Sequence, residues 1–248
     1  MLTGKALFNT LVAELNDMGL PGMSSTLDEM YRSPDFVKLD PLMAIAMLVE
    51  PEYQKKITKR IQSRLRSAHL RGCPQELSNC TDSAEREYLP YGITEVLSTL
   101  DFIGSGLNVC ILGPSDSGKS YLAKALGIVA CNDYKVAYHH CEQLLEELVA
   151  LKTADYMKFQ KRLKNICRTA LLILDDFLLH TITDEREVKV LFVILEKRNE
   201  INLSTIICSQ REPASWSSMI LNDEVSANAI LERVTRHYTV VIKPRPSE

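Results

Sequence analysis

The run Gly113-Pro114-Ser115-Asp116-Ser117-Gly118-Lys119-Ser120, followed by Tyr121, spaces two glycines, a lysine and a hydroxyl as G-x-x-x-x-G-K-[ST]. Each of these residue types has a role beside a chain of phosphates. The backbone N–H groups of such a loop, and of the helix it opens, present partial positive charge to an anion. The Lys119 ammonium reaches the β- and γ-phosphates, and the Ser120 hydroxyl is a ligand for Mg²⁺. The apolar stretch Asn108–Leu112 before the loop and the helical LAKALGIVAC after it supply the strand–loop–helix setting the pattern requires. The implied ligand is a nucleotide. Asp116 stands where many such loops have glycine. Facing the phosphates, its carboxylate would weaken binding or slow hydrolysis; turned to solvent, the preferred reading, it would do neither.

A second set of chemical groups follows about fifty residues on. Leu171-Leu172-Ile173-Leu174-Asp175-Asp176 is an apolar strand ending in two acids. Downstream of a phosphate loop, that order assigns Asp175 to Mg²⁺, directly or through water, and Asp176 to orienting and deprotonating an attacking water. The strand ending Ile207-Cys208-Ser209-Gln210-Arg211 offers a polar residue able to sense the terminal phosphate if it lies beside the acids, and a solvated strand end otherwise. Arg233 and Arg236 lie on a helical stretch near the C-terminus, where one of them can complete a neighbouring subunit's site. Tyr138-His139-His140-Cys141 invites a metal reading, but adjacent histidines on a strand point to opposite sides and no spacing completes a set of ligands, so no metal is expected there.

These groups need a frame. Short apolar stretches at 108–112, 135–138, 171–174, 205–208 and 239–242 alternate with amphipathic ones near 119–131, 142–167, 185–199 and 226–236. Alternation of this length implies α/β architecture with a parallel five-stranded sheet covered by helices on both faces. The segment 72–92, with two prolines and many turn formers, reads as a linker between a small all-α domain (1–71) and the α/β domain (93–248). In the first of these, Leu7, Leu11, Val12, Leu15 and Met18 form a stripe that ends before Pro21. Asp40-Pro41 opens another helix, in which Pro51 either makes a kink or begins a new helix running to about Arg71.

Charge placement is more informative than charge total. The 248 residues sum to -3, which alone argues against a nucleic-acid partner. Yet Lys55, Lys56, Lys59, Arg60, Arg64, Arg66 and Arg71 put +7 on 53–71 with no acid among them, leaving -10 for the rest. On a helix, Tyr53, Ile57, Ile61 and Leu65 share one face; Lys55, Lys59 and Arg66 lie opposite it, and the other four cations flank it. Such a helix matches the phosphates along one face of duplex DNA. Lys158, Lys161, Arg162 and Lys164 offer a second basic stretch, which either extends that surface or is simply solvated. Seven cysteines without a CxxC pair imply free thiols in a reducing compartment, and no stretch has the length and apolarity of a membrane span, so a cytoplasmic location is expected.

The segments LNVCILGPSDSGKSYLAKALG, LLILDDF, STIICSQREPASW and ANAILERVTRH, in this order, resemble the IstB-type ATPases. These are AAA+ helpers of insertion-sequence transposition, related to the replicative helicase loader DnaC, and the resemblance extends over most of the chain. It implies that Gly113, Gly118, Lys119 and Ser120 bind ATP and that Asp175 and Asp176 serve magnesium and water. It further implies that Ser209 or Gln210 is the sensor and that Arg233 acts in a neighbouring subunit, within a homo-oligomer assembled through ATP interfaces. The expected partners are duplex DNA and a transposase, or a replicative helicase on the loader reading. A small-molecule kinase is a third reading, but it has no use for the basic helix or the C-terminal arginine. Three positions depart from the family's pattern: Asp116, the Phe177-Leu-Leu-His that follows the acids in place of a glycine, and Asp176, where most AAA+ proteins carry Glu. The first two bear on the rate of hydrolysis more than on binding.

Overall fold

The computed structural model describes residues 4–220, 227–228, 232–233 and 235–245. It divides into two compact units, Met1–Ser63 and Arg64–Glu248. The first holds α1 (Gly4–Asp17), α2 (Pro21–Arg32) and most of α3 (Pro41–Ser67). Among the described residues of α1 only Leu15 of the expected stripe is buried; Leu7, Leu11 and Met18 remain exposed. Phe8 stacks on Tyr31 of α2, with ring centroids 4.2 Å apart. The Asp40 carboxylate accepts the N–H groups of Leu42 and Met43 and so caps α3, a contact of about 1 kcal/mol. Pro51 lies inside α3 rather than opening a new helix. Beside it, the buried Glu52 carboxylate accepts the Gly22 N–H at 3.0 Å and ties α3 to α2.

The second unit is built on a six-stranded sheet: β1 (Arg86–Leu89), β2 (Val109–Leu112), β3 (Val136–His140), β4 (Leu171–Asp175), β5 (Ser204–Ser209) and β6 (Tyr238–Pro244), in the order β1-β6-β2-β5-β4-β3. All neighbours are parallel except β1, which runs antiparallel to β6 and pairs Arg86 with Pro244 and Leu89 with Val241. Two expectations are corrected here. The sheet has six strands rather than five, and 72–92 is not a free linker but contributes an edge strand with Cys80 and Tyr88 buried. Arg86–Leu89 is too short and too polar to stand out by periodicity; pairing with β6 makes it a strand.

Short helices α4 (Ile93–Ser98) and α5 (Asp101–Gly104) precede β2. The strands alternate strictly in what they bury. Val109, Ile111, Leu171, Ile173, Ile206 and Cys208 face the layer containing α6 (Lys119–Ala130), where Leu122, Ala125 and Leu126 are fully buried. Cys110, Leu112, Leu172, Leu174 and Ile207 face α7 (Cys141–Ala154), α8 (Tyr156–Arg168) and α9 (Glu185–Glu200). This two-sided burial explains why the strands read as continuous apolar runs. The expected amphipathic stretch at 142–167 is two helices, broken at Asp155, whose carboxylate accepts the Lys158 N–H and caps α8. Of the helix expected near 226–236, residues 227–228, 232–233 and 235 are helical, and 226, 229–231 and 234 lie outside the described residues.

Candidate nucleotide-binding site

β2 ends at Leu112 and the chain turns back over the top of the sheet to begin α6 at Lys119. Two glycines make that turn possible. A Cβ on Gly113 would lie 2.6 Å from both the Ile242 carbonyl oxygen and Ser117 Oγ. Gly118 has φ +100°, a conformation that L side chains rarely adopt. Between them Asp116 takes φ +58°, in the left-handed region glycine would fill in many such loops; Asp is one of the few side chains that tolerates it. Its side chain is exposed and lines the cleft.

That cleft, of about 370 Å³, is bounded by Arg86, Ser115, Asp116, Gly118, Lys119, Ser120, Tyr121, Asp176 and Gln210. Lys119 is buried, and its Nζ donates to the Pro114 carbonyl at 2.6 Å. Burial pulls its ammonium below the ordinary lysine range, against the opposing effect of Cys208, Asp175, Asp176 and Asp116. The Tyr121 hydroxyl is directed to the 72–92 segment, where it accepts from the Glu76 N–H and from Asn79 Nδ2.

The acids arrive from β4. Asp175 is buried, and its carboxylate accepts from the Tyr138 hydroxyl on β3 and from the Asp176 N–H at 3.1 Å. Burial, and then the bond to Asp175, raises the Tyr138 phenol far above its usual range, so that it stays a donor. The Lys124 ammonium lies over the face of the same ring, 4.8 Å from its centre. Asp176, at φ +54°, turns its carboxylate to His140, whose Nδ1 is 3.0 Å from Oδ2.

His140, Asp175 and Asp176 thus bring a ring nitrogen and two carboxylates within 4.8 Å of one another. The Tyr138–Cys141 segment thus has carboxylate neighbours that its own sequence did not reveal. The partners come from the neighbouring strand, with His140 in register with Asp175, and spacing along one strand could not reveal them. Tyr138 and His140 were missed as parts of the site for the same reason.

The residues at the end of β5 divide. Ser209 is buried, donates to the Phe177 carbonyl and accepts the Arg211 N–H, so its hydroxyl holds two loops together. Gln210 is exposed and lines the cleft with Asp176. Phe177, in the place of the family's usual glycine, is buried edge-on against Trp216. Arg233 lies over the Phe192 ring, 4.9 Å from its centre, with Nη2 3.6 Å from Glu196 on its own α9.

The donor set fits a nucleoside triphosphate with a hard divalent cation. Ser117 Oγ is buried in the loop without a hydrogen-bond partner among the described residues, and Lys119 rests on a carbonyl of the loop itself. The first N–H groups of α6 have no acceptor inside the helix. Ser120 and Asp175 offer oxygens, the ligands such a cation prefers.

The basic residues of α3 are distributed unevenly. Lys55, Lys56, Lys59, Arg60 and Arg66 are exposed, as is Arg71 beyond the helix. Arg64 is not free to meet a ligand: Nη1 donates to the carbonyls of Cys131 and Asn132 at the end of α6, where the helix dipole also favours a cation.

Known proteins are similar to this chain in fold and in sequence. The "Crystal structure of the DnaC helicase loader" matches with a TM-score of 0.54 and 19% identity, over 69% of this chain and 98% of that one. AMPPCP-bound DnaA from Aquifex aeolicus matches with a TM-score of 0.55 and 21% identity, over 69% of this chain and 50% of that one. Both likenesses are of fold alone. Among sequences, y4pL of Sinorhizobium fredii, named for an insertion sequence and for ATP binding, is 32% identical over 90% of this chain and 89% of its own length. A second protein of that organism, y4uH, with the same kind of name, is 34% identical over 90% of this chain and 88% of its own. The family described as IstB-like ATP binding protein matches residues 13–245, loop, acids and α3 included, and the chain belongs to that family.

Proposed function

We propose that this chain is an ATP-hydrolysing helper of DNA transposition, which assembles on duplex DNA and presents it to a transposase. The observation that carries the reading is the convergence of Lys119, Ser120, Asp175 and Asp176 beyond the C-terminal ends of the inner strands β2 and β4, in a chain that also exposes a basic helix. On this reading the loop N–H groups and Lys119 hold the phosphates, with Lys119 leaving the Pro114 carbonyl for its ligand. Ser120 and Asp175 hold Mg²⁺, which when bound neutralises charge on the phosphates. Asp176 orients a water and accepts its proton, and Gln210, rather than the sequestered Ser209, reads the terminal phosphate. Asp116 places a carboxylate on the same cleft, which favours slow turnover.

Arg233 serves a neighbouring subunit by exchanging Phe192 and Glu196 for the neighbour's nucleotide, which couples hydrolysis to assembly. Exposed cations at 55, 56, 59, 60, 66 and 71 supply the DNA contact. The names of the relatives tie them to insertion sequences, and for that reason a transposase rather than a helicase is taken as the protein partner. Free thiols throughout suit action in the cytoplasm.

The deciding experiment measures ATP binding and duplex-stimulated phosphate release for the wild type and for Lys119→Ala. Wild-type release that rises with duplex DNA, with both binding and release lost in the variant, is the expected result. Release indifferent to duplex, or unchanged in Lys119→Ala, would refute the reading.

A further inference from the structure

One wall of the nucleotide cleft is made by β1, the strand at the sheet's antiparallel edge, and Arg86 is the residue it contributes. The guanidinium lies against the turn that opens α6: a Cβ on Gly118 would sit 2.6 Å from its Nη1. The side chain is only 31% exposed, although it bears a charge at the molecular surface. Its one ion pair within 4.0 Å among the described residues is a 3.9 Å approach to Glu85, a carboxylate that is itself 85% exposed. A pair that long and that wet holds a guanidinium weakly. Arg86 is therefore beside the phosphate loop, with the Tyr88 phenol and the wet Glu85 carboxylate as its other polar neighbours.

The charges lining the cleft indicate its use. Lys119 and Arg86 are the cations, and Asp116 and Asp176 are the acids, with Asp175 buried behind them. Without Arg86 the lining would carry one cation against two carboxylates, a poor reception for a polyanion. Arg86 brings it to balance. Its planar fork also pairs with two phosphate oxygens at once, which the lysine ammonium cannot do.

We propose that Arg86 is a phosphate-binding residue of the nucleotide cleft, and that it offsets the carboxylate this loop carries at Asp116. The proposal rests on the nucleotide reading of the cleft, and makes β1 part of the binding machinery.

The test is titration of the full chain, with Mg²⁺, using a fluorescent ATP analogue displaced by ATP, ADP or AMP. Wild type is compared with Arg86→Ala, Arg86→Lys, Asp116→Gly, the double variant Arg86→Ala/Asp116→Gly, and Lys119→Ala. Arg86→Ala is expected to weaken ATP about tenfold or more, ADP less and AMP least. Arg86→Lys, which keeps the charge but not the fork, should recover only part of the loss, and adding Asp116→Gly to Arg86→Ala should also recover part of it. Should the alanine variant fail to give a wild-type thermal melt, Arg86→Gln, which keeps the stem, takes its place. Affinity within twofold of wild type in the substituted protein would overturn the proposal. So would an equal loss for AMP and ATP, which marks a contact to base or ribose, or a loss that Asp116→Gly leaves untouched. Failure of the wild type itself to bind ATP would instead sink the nucleotide reading; ATP binding that is lost in Lys119→Ala but kept in Arg86→Ala sinks only the role of Arg86.

Discussion

Asp176 is held by two constraints that act on one residue. Its backbone is in the left-handed region, at φ +54°, which turns the chain sharply at the end of β4 and aims the carboxylate out of the strand. His140 then fixes that carboxylate through a 3.0 Å contact. If Asp176 positions water, His140 is a positioning residue, and His140→Ala should lower turnover about tenfold while ATP affinity stays within threefold. Steady-state phosphate release beside equilibrium nucleotide titration checks this; a parallel loss of affinity would mean that His140 supports the cleft as a whole. The phosphate loop was legible in the sequence because its parts are contiguous: Gly113, Gly118, Lys119 and Ser120 lie within eight positions. His140 and Arg86 were not legible because each acts across strands, His140 beside Asp175 on β4 and Arg86 from β1 against the turn that follows β2. Ser209 and Gln210 were indistinguishable by type, and burial separates them.

At the scale of elements, the layer of α7, α8 and α9 is fastened to the sheet by a buried arginine. Arg198, at the end of α9, donates to the carbonyls of Ile166 and Thr169 at the end of α8, to the Ser204 carbonyl at the start of β5, and to Thr205 Oγ1. Burial lowers its guanidinium to about 10, still charged at neutral pH. Replacement by Met keeps the stem but leaves several buried acceptors without a donor, each worth about 1–3 kcal/mol. Arg198→Met should therefore destabilise the protein by about 3 kcal/mol or more in urea unfolding, and a change below about 1 kcal/mol would contradict this account. Nothing in the sequence distinguished Arg198 from the adjacent Lys197; only the convergence of three element ends on one point does so.

The C-terminal end of β3 carries a second element-level test. Burial lowers the His139 imidazole to about 4, helped by Arg162 and opposed by Glu147, with His69 and His140 also facing it. The folded protein therefore holds this ring neutral through the range in which the unfolded chain takes up a proton. Stability should be complete above about pH 6.5 and decline as pH falls toward 4, because the unfolded state binds more protons across that window. His139→Gln should flatten the dependence of the urea midpoint between those values, and an unchanged slope would assign it to other groups.

For the whole molecule, charge is the property that the total concealed. The sequence marks the basic stretch at 53–71, but the structure divides its seven cations into two kinds. Six are exposed; Arg64 is spent on the end of α6. The boundary between the compact units also falls at Ser63, within α3, rather than in the proline-rich segment that composition suggested, because that segment is bound into the sheet. These two facts make the DNA proposal sharper than a count of charges. Each cation that meets a phosphate should contribute about 0.9 to the slope of log affinity against log salt. Lys55→Glu/Lys59→Glu/Arg66→Glu should reduce that slope by roughly 3 and weaken binding uniformly across sequences, with the thermal midpoint nearly unchanged, since all three side chains lie in solvent. Arg64→Ala should do the reverse, lowering the midpoint with little effect on the slope, because it removes two donors from the end of α6. Fluorescence anisotropy on a labelled duplex over 50–200 mM salt, paired with thermal melts of the same samples, separates the two effects. A triple variant whose salt slope matches the wild type would remove this face of α3 from the DNA contact and leave the basic stretch of α8 as the surface to test.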